Sequence, residues 1–386
     1  MVKLKRVENA LVFLTLLFLP TQLGKHFWPS FSYIYSLKID YLSPTLYFWD
    51  ILVVLLLVIW FLQKPKINRL ALNLFLFFLF TQALSLIGAS SVGPGLVRLE
   101  QYAVAGLFGV YLASVNSSKK IILPLAIGIA GESLLAILQF TKGSTLGLWI
   151  LGERTFSVST PGIAKFDFYG RQFLRPYATF PHPNVLAAFI LVAISILNKS
   201  KAVLVFGSIA IFLTMSRTAI FAGFMLAIFY LKKKWLFLAG AVVLILSPIL
   251  FIRFSSLANF DNLTILRRGE LLGNAWQIFL KYPIFGVGLN NFIPAMAGNL
   301  ITGPSRFLQP VHNIFLLALS ETGIIGLIGL MSLIGLPILK LYPRRYTLYP
   351  WLIILFLGMF DHYFLTLPQG YRLLFLVWGL SFSMIK

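Results

Sequence analysis

The sequence predicts an all-α polytopic integral membrane protein, with about twelve transmembrane helices and two long extracytoplasmic loops. Three observations carry that prediction. Of the 386 residues, 59% are hydrophobic and 11% charged, where a soluble protein carries roughly 25% charged residues. Twelve stretches approach the ~20 mostly apolar residues that a membrane span requires. The gaps between them alternate between lysine-rich and lysine-poor, the pattern by which charge sets the orientation of membrane helices. The chain reads as a single membrane domain over 1–386, without a soluble domain or an internal repeat.

Taken in order, the first stretch (8–24) follows MVKLKR and has the basic-then-apolar character of a secretory leader. No small-residue cleavage site follows Pro20, so it reads as a retained first span. Then come 45–63, 70–88, 99–115 and 121–140, followed by 180–197, 202–215, 218–231 and 235–252, and finally 312–339, 348–367 and 370–385. The seventh and eighth are short and separated by Ser216-Arg217, a polar pair that favours a surface turn over one broken helix. With the N-terminus inside, the inner gaps hold Lys3, Lys5 and Arg6; Lys64, Lys66 and Arg69; Lys119 and Lys120; Lys199 and Lys201; Lys232, Lys233 and Lys234; Lys340, Arg344 and Arg345; and Lys386. Glu8 is the one acidic residue among them. Every inner gap is therefore basic, both termini fall in the cytoplasm, and most of the net charge of +21 is a topology signal. It implies membrane lipid around the chain and no nucleic-acid partner. The absence of cysteine excludes disulfides, a thiolate nucleophile and a cysteine-ligated metal.

Two outer loops are long, 141–179 and 253–311. They hold Arg154, Arg171, Arg175, Arg253, Arg267, Arg268 and Arg306 against Lys142, Lys165 and Lys281, the reverse of the inner lysine preference. A guanidinium's planar fork suits phosphate and carboxylate better than an ammonium does, so Arg171, Arg175, Arg267 and Arg306 are candidate substrate-binding residues. Aromatic content (Phe156, Phe166, Phe168, Tyr169, Phe173, Tyr177) argues that the first loop is ordered. In the second, Leu266, Glu270, Ala275, Trp276 and Phe279 lie near helical spacing and predict an amphipathic helix that Pro283 and the GVG run end.

His312-Asn313 follows Pro310 at the outer mouth of the tenth span. A histidine there is either an interfacial anchor or, because it titrates near neutral pH, a base or anion-binding group, with Asn313 beside it for substrate. Glu321 lies about 13 Å deeper at 1.5 Å per residue and on the opposite face, so it is expected to pair with another helix as a structural element. Arg217 at the seventh span's outer end is a snorkelling anchor or an anion ligand. In PHPNVLAA, Asn184 is a candidate helix cap. GVGLNNF (286–292) reads as a close backbone turn, with amides that an anion could use. Buried polar residues are few (Asp50, Glu100, Glu132, Glu321, Asp361), and the outer side lacks a paired-carboxylate metal motif, so no metal and no cofactor is expected.

Four elements in order carry a family resemblance: ATFPHPNVLAA, LTMSRTAIFAG, RGELLGNAWQIFLKYPIFGVGLNNF and HNIFLLALSETGIIGLIGL. Over 178–330 they resemble the core of the bacterial O-antigen ligase and O-antigen polymerase superfamily, whose fold is related to the membrane glycosyltransferase C type. The resemblance implies metal-independent transfer of a glycan from an undecaprenyl-diphosphate-linked donor to a hydroxyl acceptor at the extracytoplasmic face of the bacterial inner membrane. The acceptor is lipid, glycan or protein. It further implies that Arg217 binds the donor diphosphate, that Arg268 assists it with Arg267 as the alternative register, and that His312 is the base or orients the acceptor hydroxyl. The rival reading is a transporter or flippase of a polyprenyl-linked or anionic substrate, which needs matching basic sites at mid-membrane and inside.

Overall fold

The structure, a computed structural model, describes residues 2–115, 118–197, 201–230, 232–255, 263–299, 307–341 and 345–385. Arg306 lies outside them. In chain order the helices are α1 (Val2–Leu17), α2 (Phe48–Leu62), α3 (Arg69–Leu84), α4 (Val92–Ser114), α5 (Ser118–Lys142), α6 (Pro183–Ile196), α7 (Lys201–Leu213) and α8 (Arg217–Tyr230). They continue as α9 (Lys233–Ser255), α10 (Leu263–Lys281), α11 (Phe292–Met296), α12 (Ile314–Leu341), α13 (Arg345–Gly358), α14 (Tyr363–Thr366) and α15 (Pro368–Ile385). The fold is mostly helical, and a helix lies over each of the twelve apolar stretches. Arg69–Gly88, Ile121–Lys142 and Ile314–Lys340 are long and apolar enough to cross a membrane, and several shorter apolar helices accompany them.

The boundaries correct three expectations. Residues 45–47 form a strand paired with Gly24–His26, and α2 starts only at Phe48, where the Asp50 carboxylate accepts the Tyr47 amide at 3.0 Å. The stretch 348–367 is not one helix: α13 stops at Gly358, and Asp361 and His362 lie in the break before α14. The stretch 312–339 is interrupted at Gly323, whose backbone leaves the helical region (φ 62°, ψ −166°). Hydropathy is blind to all three, because these breaks are polar-backbone events inside apolar runs.

By contact density the chain divides into two units, residues 1–125 with 267–386, and residues 126–266. In the first, α4 packs along α15, α3 along α12 and α1 along α2. Gly109 and Gly379 let the first pair approach closely: a Cβ on either would strike the other helix's backbone, the small-residue packing typical of membrane helices. The break in α12 is matched by the loop after α10. Val287 N–H donates to the Ser320 carbonyl at 3.1 Å, and Ile324 N–H donates to the Pro283 carbonyl at 2.9 Å. The loop thus satisfies backbone groups that the kink releases, as buried backbone requires. Glu321 accepts the amide of Phe292, the first residue of α11, at 3.2 Å, so it pairs with another helix as a structural element. The amides of GVGLNNF are accordingly used within the fold: Leu289 N–H donates to Ser85 Oγ at 3.0 Å.

In the second unit α6 packs on α7 and α8. Buried from Val185 to Ser195, it has the all-round apolar sequence of a core helix. The first long loop is ordered, as its aromatics predict, around Phe156, Leu174 and Tyr177. Buried carboxylates hold it: Glu153 accepts from Leu146 N–H (2.8 Å) and Leu148 N–H (2.6 Å), and Glu132 accepts from the Thr179 amide and hydroxyl. The cap of α6 is His182, whose Nδ1 accepts the Asn184 amide at 3.1 Å. Asn184 is inside the helix, and its Oδ1 accepts from Arg175 at 2.7 Å.

Candidate active site

In the first unit the polar residues gather where α12 begins and α13 ends. Asn313 caps α12, its Oδ1 accepting the Phe315 and Leu316 amides at 2.9 Å each. Its Nδ2 donates to the Met359 carbonyl at 3.1 Å. One side chain therefore ties the mouth of α12 to the break after α13, a structural task. The tie brings His312 beside Asp361 and His362. Their ligand-type atoms all lie within 4.8 Å of one another, and the two imidazoles stack edge to face at 5.0 Å.

Thr366 Oγ1 lies 3.1 Å from the His362 carbonyl and 2.6 Å from His362 Nδ1. Its single hydrogen serves one of these at a time, so either ring nitrogen of the neutral imidazole can carry the proton. Nε2 faces the Asp361 carboxylate, 3.9 Å away. Thr366 is itself fixed, since Arg98 donates to its carbonyl at 2.7 Å and to Asn290 Oδ1 at 3.3 Å. Tyr41 packs its ring edge-on to His362 at 5.5 Å.

Arg268, on α10, acts electrostatically on both His312 and Asp361. Burial holds the His312 pKa below the ordinary value of 6.5; Asp361 opposes the shift and Arg268 adds to it. For Asp361 burial pushes upward, but the charges of His312, His362 and Arg268 with the His362 amide outweigh it, and the carboxyl titrates below its ordinary 3.8. At neutral pH this is a neutral imidazole beside a carboxylate, able to take a proton and to have the resulting imidazolium stabilised. His312 Nδ1 is buried and has no hydrogen-bond partner among the described residues. Arg267, the neighbouring position, instead lies over the Phe307 ring at 4.7 Å.

The second unit holds its own basic cluster, built on the turn between α7 and α8. The chain turns at 214–216, just before α8 opens at Arg217, with Met215 in the left-handed region (φ 50°); the turn is buried and not at the surface, where the polar pair would put it. Arg175 Nε donates to the Thr214 carbonyl at 2.6 Å, and Arg253 Nε to the Met215 carbonyl at 2.8 Å. Arg217 opens α8, and Arg253 feels the charges of both Arg175 and Arg217. Three guanidiniums at one turn, one of them opening a helix with its positive dipole end, suit an anion. Arg171 is not among them: it stands on the exposed Lys165–Leu174 hairpin, over the Phe173 ring at 5.2 Å.

Of the sequence candidates, the structure brings His312 and Arg268 to one cluster and Arg217 and Arg175 to the other; sequence reasoning did not place Arg253 with the latter, or Asp361 and His362 beside His312. The available signal was an Asp-His pair inside an apolar stretch, where ionisable residues are functional by default. Residues 202–331 match the family model described as O-antigen ligase. The match covers three of the four elements that carry the resemblance and places this segment in the O-antigen ligase and polymerase superfamily. No curated protein matches the chain.

Proposed function

We propose that this protein transfers a glycan from an undecaprenyl-diphosphate-linked donor to a hydroxyl acceptor at the outer face of the bacterial inner membrane, through a twelve-span topology with both termini cytoplasmic. The acceptor oxygen attacks the anomeric carbon, the bond from that carbon to the diphosphate oxygen breaks, and His312 takes the hydroxyl proton. Arg217 binds the departing diphosphate, with Arg175 and Arg253 beside it, and Arg268 adds positive charge on the His312 side. Guanidiniums fixed in advance stabilise a developing phosphate charge without a metal ion.

The observation that carries this reading is the grouping of His312 with Asp361 and Arg268. The family match supports the general class of reaction, and the alternating lysines support an outward-facing site. The test is transfer by the purified protein from an undecaprenyl-diphosphate glycan to candidate acceptors. His312→Ala is expected to lose about 10²–10⁴-fold in rate, the usual contribution of a positioned base. Arg217→Ala is expected to lose about 10²–10³-fold, as for removal of one oxyanion donor. Turnover equal to wild type in both variants refutes the mechanism. Donor translocation without transfer points to the flippase reading.

A further inference from the structure

We propose that His312, Asp361 and His362 form a binding site for a zinc-type divalent transition metal, and that occupancy of this site switches the transferase off. The inhibitory half of the proposal rests on His312 being the base, as argued above.

The donor set defines the class of metal. Two imidazole nitrogens and one carboxylate select late first-row ions over magnesium or calcium, which take oxygen ligands. Three protein ligands leave a fourth position open, as in many zinc sites that exchange a ligand. Their ligand atoms all lie within 4.8 Å of one another. Ligands at about 2.0–2.1 Å in a tetrahedron are about 3.3 Å apart, so the group needs to close by at most about 1.5 Å. Asp361 and His362 already stand at 3.9 Å.

The surroundings also match a metal site. A ligating histidine ordinarily donates its other ring N–H to a neighbour, which fixes its tautomer and its direction. Thr366 can do this for His362: with the threonine hydrogen on the His362 carbonyl, Nδ1 gives its proton to the hydroxyl oxygen, and Nε2 faces Asp361. Arg98 anchors the same turn through the Thr366 carbonyl. In His312 the buried Nδ1 has no hydrogen-bond partner among the described residues, so the ring carries no bond at that nitrogen that metal binding would have to break. Arg268, whose charge reaches both His312 and Asp361, weakens cation binding. The site is therefore one of moderate affinity that fills and empties, and not a structural one. A His312 nitrogen bound to zinc cannot take a proton, so metal and catalysis compete.

The experiment uses the full chain in lipid nanodiscs after chelator treatment, with zinc chloride and, as a spectroscopic reporter, cobalt chloride. One zinc per chain is expected by elemental analysis after desalting, with intense visible cobalt bands of a four-coordinate site and no competition from magnesium. Asp361→Asn and His362→Ala are expected to abolish binding, and Thr366→Val to weaken it about 10–100-fold, as loss of a partner behind the ligand does. Thermal unfolding without metal checks each variant's fold, and the wild-type cobalt spectrum does not depend on any variant folding. Transfer activity is expected to fall with the same half-saturation as binding and to return with EDTA. Less than one zinc per chain, a weak octahedral cobalt spectrum, or binding unchanged in Asp361→Asn and His362→Ala overturns the site. Zinc that binds at these residues without inhibiting overturns the switch and with it the base assignment of His312. Absence of zinc binding in a protein whose transfer still depends on His312 overturns the site alone.

Discussion

Asp361→Asn tests the electrostatics of the His312 cluster most directly. The amide keeps the size of the carboxylate and an oxygen to accept the His362 amide, now bonded at 2.9 Å, so the break after α13 should persist. What disappears is the negative charge no more than 4.8 Å from the His312 ring nitrogen. At an effective dielectric constant near 20, such a pair is worth about 3.5 kcal/mol to an imidazolium. Part of that is screened, because His312 is only partly buried and Arg268 opposes it. With about 1.4 kcal/mol per tenfold in rate, kcat should fall between about 30- and 300-fold. The pH profile supplies the second readout. Asp361 is the group that raises the His312 pKa against burial, so its neutralisation lowers that pKa and moves the acid limb of activity to lower pH. The assay is initial rate of transfer with a lipid-linked donor, from pH 5 to 8 in chelator-treated buffer. A full plateau rate with an unmoved acid limb refutes the assignment of Asp361 as the partner of His312. A lower rate with the limb unmoved shows damage to the fold rather than loss of charge.

Three further outcomes are expected. The wild-type rate should be flat through neutral pH and fall only as the pH drops through the depressed His312 pKa, since the neutral ring is the base; a rate that rises on acidification contradicts this. Arg217→Lys should lose most of the activity that Arg217→Ala loses, because a lysine keeps the charge but not the two-pronged geometry for phosphate; wild-type rates in the lysine variant contradict the diphosphate role. In this naturally cysteine-free chain, a single Asn299→Cys should react with an impermeant reagent applied to the extracytoplasmic face, and labelling only from the cytoplasmic face overturns the topology.

The helices were legible because each is an apolar run bounded by charge, and those two signals are local. The breaks were not, since each depends on a partner distant in sequence. Gly323 can leave the helix because the loop 283–287 supplies its neighbours with hydrogen bonds, and nothing near Gly323 in sequence announces that loop. The same blindness hid half of the His312 cluster: read as one span over 348–367, the stretch buries Asp361 and His362 in a helix. Read as α13, a break and α14, it presents them to His312. Arg253 was hidden for a similar reason, since its place beside Arg217 is set by a bond to the Met215 carbonyl, thirty-eight positions away in sequence.

The two motifs that resemble the family, GVGLNNF and HN…ETG, can be assigned tasks residue by residue, and the assignment isolates the chemistry. Glu321 accepts the Phe292 amide. Asn290 donates to the Tyr41 carbonyl and accepts from Arg98, and Asn291 donates to the Ser91 carbonyl while accepting from the Ser90 hydroxyl. Asn313 caps α12 and ties it to Met359. Gly286 and Gly323 admit the crossing of loop and kink, where a Cβ on either would enter the other's backbone. Each of the four polar side chains completes a backbone group, and a buried backbone group left without a partner costs about 1–3 kcal/mol. Glu321→Ala should therefore lower thermal stability by that order while leaving His312 and its neighbours chemically intact, and rates per folded molecule should survive where total activity does not. His312 is the exception in both motifs. Its buried Nδ1 completes nothing among the described residues, which leaves that nitrogen open to a proton or a metal.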